Sequence, residues 1–513
     1  MDVILQNIGA GLDLLLTPQS LLFLAAGVVG GFLMGVLPGF GGANAAALVL
    51  PFSVGLPTEV ALILMAGIYA GASFAGSVPA ILINVPGTAG AAATAIDGYP
   101  MAQKGKADLA IGIARMASVL GGVLATTVVL IVITPLSDFA LNFGTRELFA
   151  VAIFGLTVIG SVVGRDFRKG MVSALLGLLF AAMSTSPETA RPRFTMGFLQ
   201  LYEGVPFVPA IVGLFAITEM LLIAKKSSIV DPTLADQLSE SRGGLLVQLR
   251  EVVEGIKVTL RYPGMILTST GIGLFLGSIP GIGTAVANFI SYGEAKRRDK
   301  SGKMGTGRPE GIIASEACDN AVTAGTMVPT LTLGIPGSAT AAVMLTALFL
   351  HGVQPGPRVM VTHVGEAYAV LLGLLLASIL ILPLGVLLAT PMTRIVKVPP
   401  AVLVPLIMTL AVVGAFAVRS SMFDASLAFL FGILGYLMRT RGYPVVPLIL
   451  GLILGPIAEA NFSRALALGQ GSALYFFDSV TARVMWALLL LTLIARGRQA
   501  LRRRSENRSM EVS

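Results

Sequence analysis

The sequence predicts an all-α polytopic membrane protein of about 10–13 spans, built as two inverted-topology repeats with broken or re-entrant Pro-Gly segments. Three observations carry that prediction. The chain is 55% hydrophobic and 12% charged, with a mean hydropathy of +0.86, whereas a soluble domain carries roughly 25% charged residues. Apolar runs of about 18 or more residues, each long enough for a ~30 Å hydrocarbon layer, recur along its 513 residues. Finally, one Pro-Gly device is written twice, the second copy 242 to 250 positions after the first.

Residues 1–19 hold no Lys or Arg, so no cleaved leader is expected and 20–37 reads as a first span. Further uninterrupted runs occupy 109–135, 147–163, 205–224, 367–389, 401–418, 443–460 and 479–495. Runs interrupted by Gly or Pro lie at 42–83, 170–183, 263–292, 312–350 and 422–437. The 60 Gly and 28 Pro would weaken soluble helices but suit membrane helices that pack closely or break. Segment 225–262 reads as a cytoplasmic linker. Within it Leu245, Leu249, Val252, Val253, Ile256 and Leu260 recur at helical spacing, giving an amphipathic surface helix. The expected division is thus 1–19, a repeat over 20–224, the linker, a repeat over 263–462, an extra span in 463–495 and a basic cytoplasmic tail over 496–513.

The repeats align through three blocks. Gly35, Pro38, Gly39 and Gly41 match Gly277, Pro280, Gly281 and Gly283; Pro79, Pro86, Gly87 and Thr88 match Pro329, Pro336, Gly337 and Ser338. The run Gly204–Gly213 matches Gly442–Gly451, and Glu219 and Glu459 follow as residues expected to cap helix ends structurally. Basic residues indicate how the halves are oriented. Residues 294–310 contain six Lys or Arg while the equivalent stretch near 51–59 has none, and Lys104 and Lys106 follow the second motif of the first half only. Since basic loops stay cytoplasmic, equivalent loops face opposite sides. Arg191 and Arg193 go against this pattern.

The net charge of +8 is spread over short loops and the tail without a binding motif, so nucleic acid is not an expected partner; membrane lipid is. The single cysteine, Cys318, excludes a disulfide framework and reads as a small buried residue. Two histidines, His351 and His363, leave no His-rich metal site, and no nucleotide-binding motif is present. No enzyme chemistry and no cofactor are expected.

A Pro-Gly pair inside a span removes a backbone donor and opens the helix. Exposed peptide groups survive at that depth only inside protein or beside water. The new helix N-termini present free N–H groups to an anion such as a carboxylate, and the new C-terminal carbonyls can hold a cation. A kink that only shapes packing is the alternative for any single break; four breaks, repeated symmetrically beside small polar residues, favour a site. The anion side is assigned Gly39, Gly41, Asn44, Asn84, Pro86, Gly87, Thr88, Gly281, Gly283, Thr284, Pro336, Gly337 and Ser338. The cation side is assigned Asn288, Asp319, Asn320 and Thr323, with Asp319 the intramembrane acid. A secondary carrier fits these features; a passive channel or scaffold subunit for a small anion is the alternative.

These motifs resemble those of the large membrane subunit of the tripartite tricarboxylate transporters, TctA. The resemblance rests on G-V-L-P-G-F-G-G at Gly35, I-N-V-P-G-T-A-G-A-A-A-T at Ile83, G-S-I-P-G-I-G at Gly277, S-E-A-C-D-N-A at Ser315 and T-L-G-I-P-G-S at Thr332, and spans about 20–465. It implies uptake of a tricarboxylate or related small carboxylate across the bacterial inner membrane, in symport with Na⁺ or H⁺. It also implies a small membrane subunit of the TctB type and a periplasmic solute-binding protein of the TctC type.

Overall fold

The computed structural model describes residues 2–162, 167–186, 188–226, 228, 245–388, 392, 394, 395 and 397–494. In chain order these form α1 Asp2–Leu15, α2 Pro18–Gly35, α3 Gly42–Val49, α4 Thr58–Ala75, α5 Ser77–Ile83, α6 Ala91–Gln103, α7 Ala107–Ala140, α8 Thr145–Val162 and α9 Phe167–Ala181. A two-stranded antiparallel hairpin, β1 Ser184–Thr185 and β2 Pro192–Arg193, precedes α10 Phe207–Val212 and α11 Thr218–Ile223, which a π-helical turn joins at Gly213–Ile217. Then come α12 Leu245–Leu260, α13 Pro263–Gly277, α14 Gly283–Arg298, α15 Pro309–Leu333, α16 Ala339–Leu350, α17 Val359–Thr362, α18 Val364–Leu387, α19 Pro400–Arg419, α20 Met422–Thr440, α21 Val446–Leu468 and α22 Val480–Ile494.

Among the described residues, seven helices are long and apolar enough to cross a membrane, with shorter apolar helices such as Pro263–Gly277 and Ala339–Leu350 between them. The all-α polytopic class holds. The interrupted runs divide where Gly and Pro stand. The 42–83 run breaks after α3 at the 3₁₀ turn Leu50–Ser53, and 312–350 breaks at Gly334–Ser338. The amphipathic stretch forms α12, which lies against α7: a Cβ at Gly255 would fall 2.5 Å from the Gly112 carbonyl carbon. The basic tail over 496–513 lies outside the described residues.

Two compact units emerge, each drawing on both halves of the chain. One comprises Met1–Asp138 and Val208–Leu437. In it α2 packs on α4 and α13 packs on α15 through matching close approaches. A Cβ at Gly31 would lie 2.6 Å from the Ile68 carbonyl oxygen, and one at Gly273 would lie 2.4 Å from that of Cys318. Small residues let membrane helices meet at this distance. The ends match too: Val85 N–H donates to Pro79 O at 3.3 Å, and Ile335 N–H donates to Pro329 O at 3.2 Å. The left-handed caps between them are Asn84 (φ 57°) and Gly334 (φ 69°).

The relation between repeats can be read from side chains. Ser73 Oγ and Thr323 Oγ1, equivalent positions of α4 and α15, hydrogen-bond to each other at 3.2 Å. Four residues back on α4, Tyr69 OH meets Thr326 Oγ1, three residues forward on α15, at 2.9 Å. The two helices therefore run antiparallel across an approximate two-fold axis, which is the geometry of an inverted repeat.

The second unit comprises Phe139–Phe207 and Met438–Ser513. Here α21 packs on α8 and α9: a Cβ at Gly451 would lie 2.4 Å from Ala174 O. Phe149 stacks among Phe462, Phe476 and Trp486 at 5.3, 5.3 and 6.0 Å between ring centres. Arg193 forms a bidentate pair with Glu459 at 2.6 and 3.0 Å. The third repeat block thus serves both units, since in the first unit the π-turn packs on α20, with Gly213 against Ala428 O.

Candidate functional site

The first unit brings the helix breaks of both repeats together. After the first break α3 starts at Gly42, where the left-handed Gly39 (φ 86°) turns the chain and Asn44 Nδ2 donates back to Gly39 O at 3.1 Å. After the fourth break α16 starts at Ala339, and its N-cap Ser338 Oγ accepts from Ala341 N–H at 3.1 Å. These two N-termini meet: Thr340 Oγ1 lies 3.1 Å from where a Cβ on Gly42 would stand. Each first turn holds N–H groups without intrahelical partners. Gly41, Gly42, Ser73, Thr88, Ser338 and Thr340 are half-buried there.

The remaining breaks brace this arrangement. Gly87 N–H donates to Gly76 O at 3.0 Å, and a Cβ on Gly87 would sit 2.5 Å from Gly35 O. Gly281 N–H donates to Gly337 O at 3.3 Å, and a Cβ on Gly337 would sit 2.9 Å from Gly277 O. Pro86-Gly87 and Pro336-Gly337 are therefore packing hinges between helices of their own repeat. Thr88 Oγ1 accepts from Ala91 N–H at 3.4 Å and lies beside Gly41, whereas Asn84 is exposed and acts as a helix cap. Gly283 (φ 71°) and Thr284 begin α14 with open space beside Gly283.

The polar groups on the cation side divide between two faces of α15. Asp319 and Asn288, 4% and 0% exposed, are joined by a 2.7 Å hydrogen bond from Nδ2 to Oδ1, which leaves Asn288 Oδ1 without a partner. They face Gly90, the N-cap of α6, so closely that a Cβ there would be 2.0 Å from Asp319 Oδ1. Asn320 turns instead toward α7, its Cβ 3.5 Å from a Cβ placed on Gly122. Thr323 bonds to Ser73 on the two-fold axis. No cluster of three or more His, Cys, Asp or Glu fit for a metal exists among the described residues. A hard cation here would rely on the Asp319 carboxylate and the free Asn288 carbonyl, both oxygen donors.

Sequence reasoning missed several residues. Tyr69, the repeat equivalent of Asp319, hydrogen-bonds to Ser338 Oγ at 2.7 Å. Ser73 and Thr340 were overlooked although the repeat offsets pair them with Thr323 and Gly90. Glu219, read as a helix-end residue, reaches the first break, with Oε1 2.8 Å from a Cβ on Gly39. Cys318 is the buried small residue expected.

A family model described as the tripartite tricarboxylate transporter TctA family matches residues 21–450. The chain is similar to an Agrobacterium vitis protein described as an uncharacterized 52.8 kDa protein in the TAR-I ttuC' 3' region, 32% identical over 495 residues and covering 96% of each. A second A. vitis relative, described as an uncharacterized protein in the TAR-II ttuC' 3' region, is 30% identical over 223 residues, or 43% of this chain and 92% of that one. No solved structure matches. With most of its length matched and the helix breaks converging as described, this multi-pass membrane protein belongs to the TctA family, the membrane subunits of tripartite tricarboxylate transporters.

Proposed function

We propose that the protein is the large permease subunit of a binding-protein-dependent secondary transporter that imports a tricarboxylate or related carboxylate by alternating access, driven by a Na⁺ or H⁺ gradient. The observation that carries this reading is the meeting of the α3 and α16 N-termini at Gly42 and Thr340. Free N–H groups and the positive ends of two helix dipoles favour an anion between them without a buried Arg. Hydroxyls of Thr88, Ser338 and Thr340 supply further donors beside them. Asp319 with Asn288 offers the coupling cation two oxygen donors, the carboxylate offsetting the positive end of the α6 dipole at Gly90. Family membership supports partnership with a TctB-type small subunit and a TctC-type periplasmic binding protein in the bacterial inner membrane, and the basic residues of 496–513 favour a cytoplasmic C-terminus.

The test uses proteoliposomes of the assembled system with an imposed Na⁺ or pH step. A carrier accumulates citrate or a related carboxylate against its gradient, whereas a channel only equilibrates it. Replacing Pro86-Gly87 or Pro336-Gly337 by Ala-Ala is expected to abolish uptake with membrane insertion intact. Ser338→Ala combined with Thr340→Val should weaken substrate affinity while sparing the hinges. Normal uptake by both double-alanine variants would overturn the assignment.

A further inference from the structure

Glu316 takes no part in the substrate or cation positions above, yet it is one of the least expected side chains in the molecule. It lies in α15, 2% exposed, and no Lys, Arg or His pairs with it among the described residues. Hydroxyls surround it instead. Thr94 Oγ1, from the first repeat's α6, donates to Oε1, and Ser118 Oγ of α7 donates to Oε2 at 2.9 Å. Thr94 Oγ1 also lies 2.9 Å from Ser315 Oγ, so the row of hydroxyls continues along α15.

Two features separate this position from that of Asp319. Both Glu316 oxygens already accept hydroxyl hydrogens, so a metal ion would have to displace them. A proton needs only that one hydroxyl turn from donor to acceptor, which a Ser or Thr does freely. One helical turn further on the same face, Asn320 is 2% exposed with neither amide atom partnered. Its buried, unpartnered amide adds to the polar interior one turn from Glu316. An unpaired carboxylate in such a place is otherwise hard to account for.

We propose that Glu316 is a proton-binding site of this protein, separate from the Asp319–Asn288 position. Its role in uptake rests on the secondary-transport reading above. The proton adds to a carboxylate oxygen from one water phase and leaves to the other as the carrier alternates, making the group neutral and anionic in turn. The charged and titratable groups around it are few. Asp97 stands one turn along α6 from Thr94, held by the backbone N–H groups of Gly305, Gly307 and Arg308 and by Tyr292 OH of α14. Arg115 stands one turn before Ser118 on α7 and donates to Gly385 O at 2.9 Å. Cys318 and Asp319 follow on α15 itself, and α5 supplies no charged side chain.

Infrared difference spectra of the full chain in lipid bilayers, recorded across a pH step without substrate, test the site directly. A carboxylic-acid C=O band is expected in the wild type, retained in Asp319→Asn, shifted in Ser118→Ala and lost in Glu316→Gln. Absence of the band in the wild type, or its persistence in Glu316→Gln, overturns the proposal. In proteoliposomes of the assembled system loaded with a pH-sensitive dye, citrate addition under a Na⁺ gradient should acidify the lumen for wild type, while Glu316→Gln still takes up citrate without acidification. Uptake without proton movement in the wild type refutes the coupling role alone. No uptake of any carboxylate would refute the transporter reading and leave the infrared result standing.

Discussion

Gly90→Ala places one methyl group directly against the Asp319–Asn288 pair. Gly90 is helical (φ −64°, ψ −41°), so the backbone accepts Ala without strain, and the effect comes from contact alone. The new Cβ would lie 2.0 Å from Asp319 Oδ1 and 2.8 Å from Asn288 Nδ2. Carbon and oxygen need well over 3 Å, so the carboxylate must move by about 1 Å or more. Overpacking of this kind costs about 1–3 kcal/mol. Separating the 2.7 Å Asn288–Asp319 bond, which involves a charged acceptor, costs about 1.5–3 kcal/mol more. Gly90 is the N-cap, where Ala brings no helix-propensity gain, so the loss is about 2.5–6 kcal/mol. If half of it falls on cation binding, affinity drops about eightfold to 140-fold. The assay is the Na⁺ concentration that half-saturates a thermal-shift response of the purified protein, with Gly30→Ala, where a Cβ meets nothing within 4 Å, as control. Equal half-saturation in the two variants would refute the placement of the cation at Asp319.

Asp97→Ala removes the acceptor of three backbone N–H groups and of Tyr292 OH from a fully buried position, and should cost at least about 3 kcal/mol. Faster tryptic cleavage after Lys300 and Lys303 is the readout. Asp299 in the exposed loop after α14 is held down from 3.8 to about 2, first by the Ser301 hydroxyl and then by the N–H groups of Ser301, Met304 and Lys303. A depressed carboxylate adds order above its unfolded pKa and loses it as pH falls through the folded one. Amide protection at 301–304 should therefore hold at neutral pH, fade between about pH 4 and 2, and be absent throughout in Asp299→Asn. Breaking the Arg193–Glu459 pair, about a third exposed on each side, should change stability by no more than about 1 kcal/mol in a double-mutant cycle.

Much of this was written in the chain, because the breaks are local events. Pro-Gly pairs end helices wherever they stand, and the offsets of 242 and 250 identify equivalent residues before any contact is known. Asn84 and Gly334 show the limit of reading by residue type: one looked like a ligand, yet both are left-handed helix caps. What the repeats touch across the two-fold axis was not legible. The meeting of Gly42 with Thr340, and of Gly90 with Asp319, depends on antiparallel crossing of α4 and α15, which no sequence neighbour encodes. Glu316 was hidden for another reason. From Gly311 to Met327, α15 is buried on every side, so it has no polar stripe to separate the face of Glu316 and Asn320 from that of Asp319.

The Asp97 clamp has a consequence for how the protein is made. Its partners Gly305, Gly307 and Arg308 lie 208, 210 and 211 residues further on. At about 5–20 residues per second, the ribosome delivers them about 10–40 seconds after Asp97 itself. Through that interval the Asp97 carboxylate on α6 lacks the loop whose N–H groups donate to it. The first repeat must wait, loosely held or attended by a chaperone, until the second arrives to complete it.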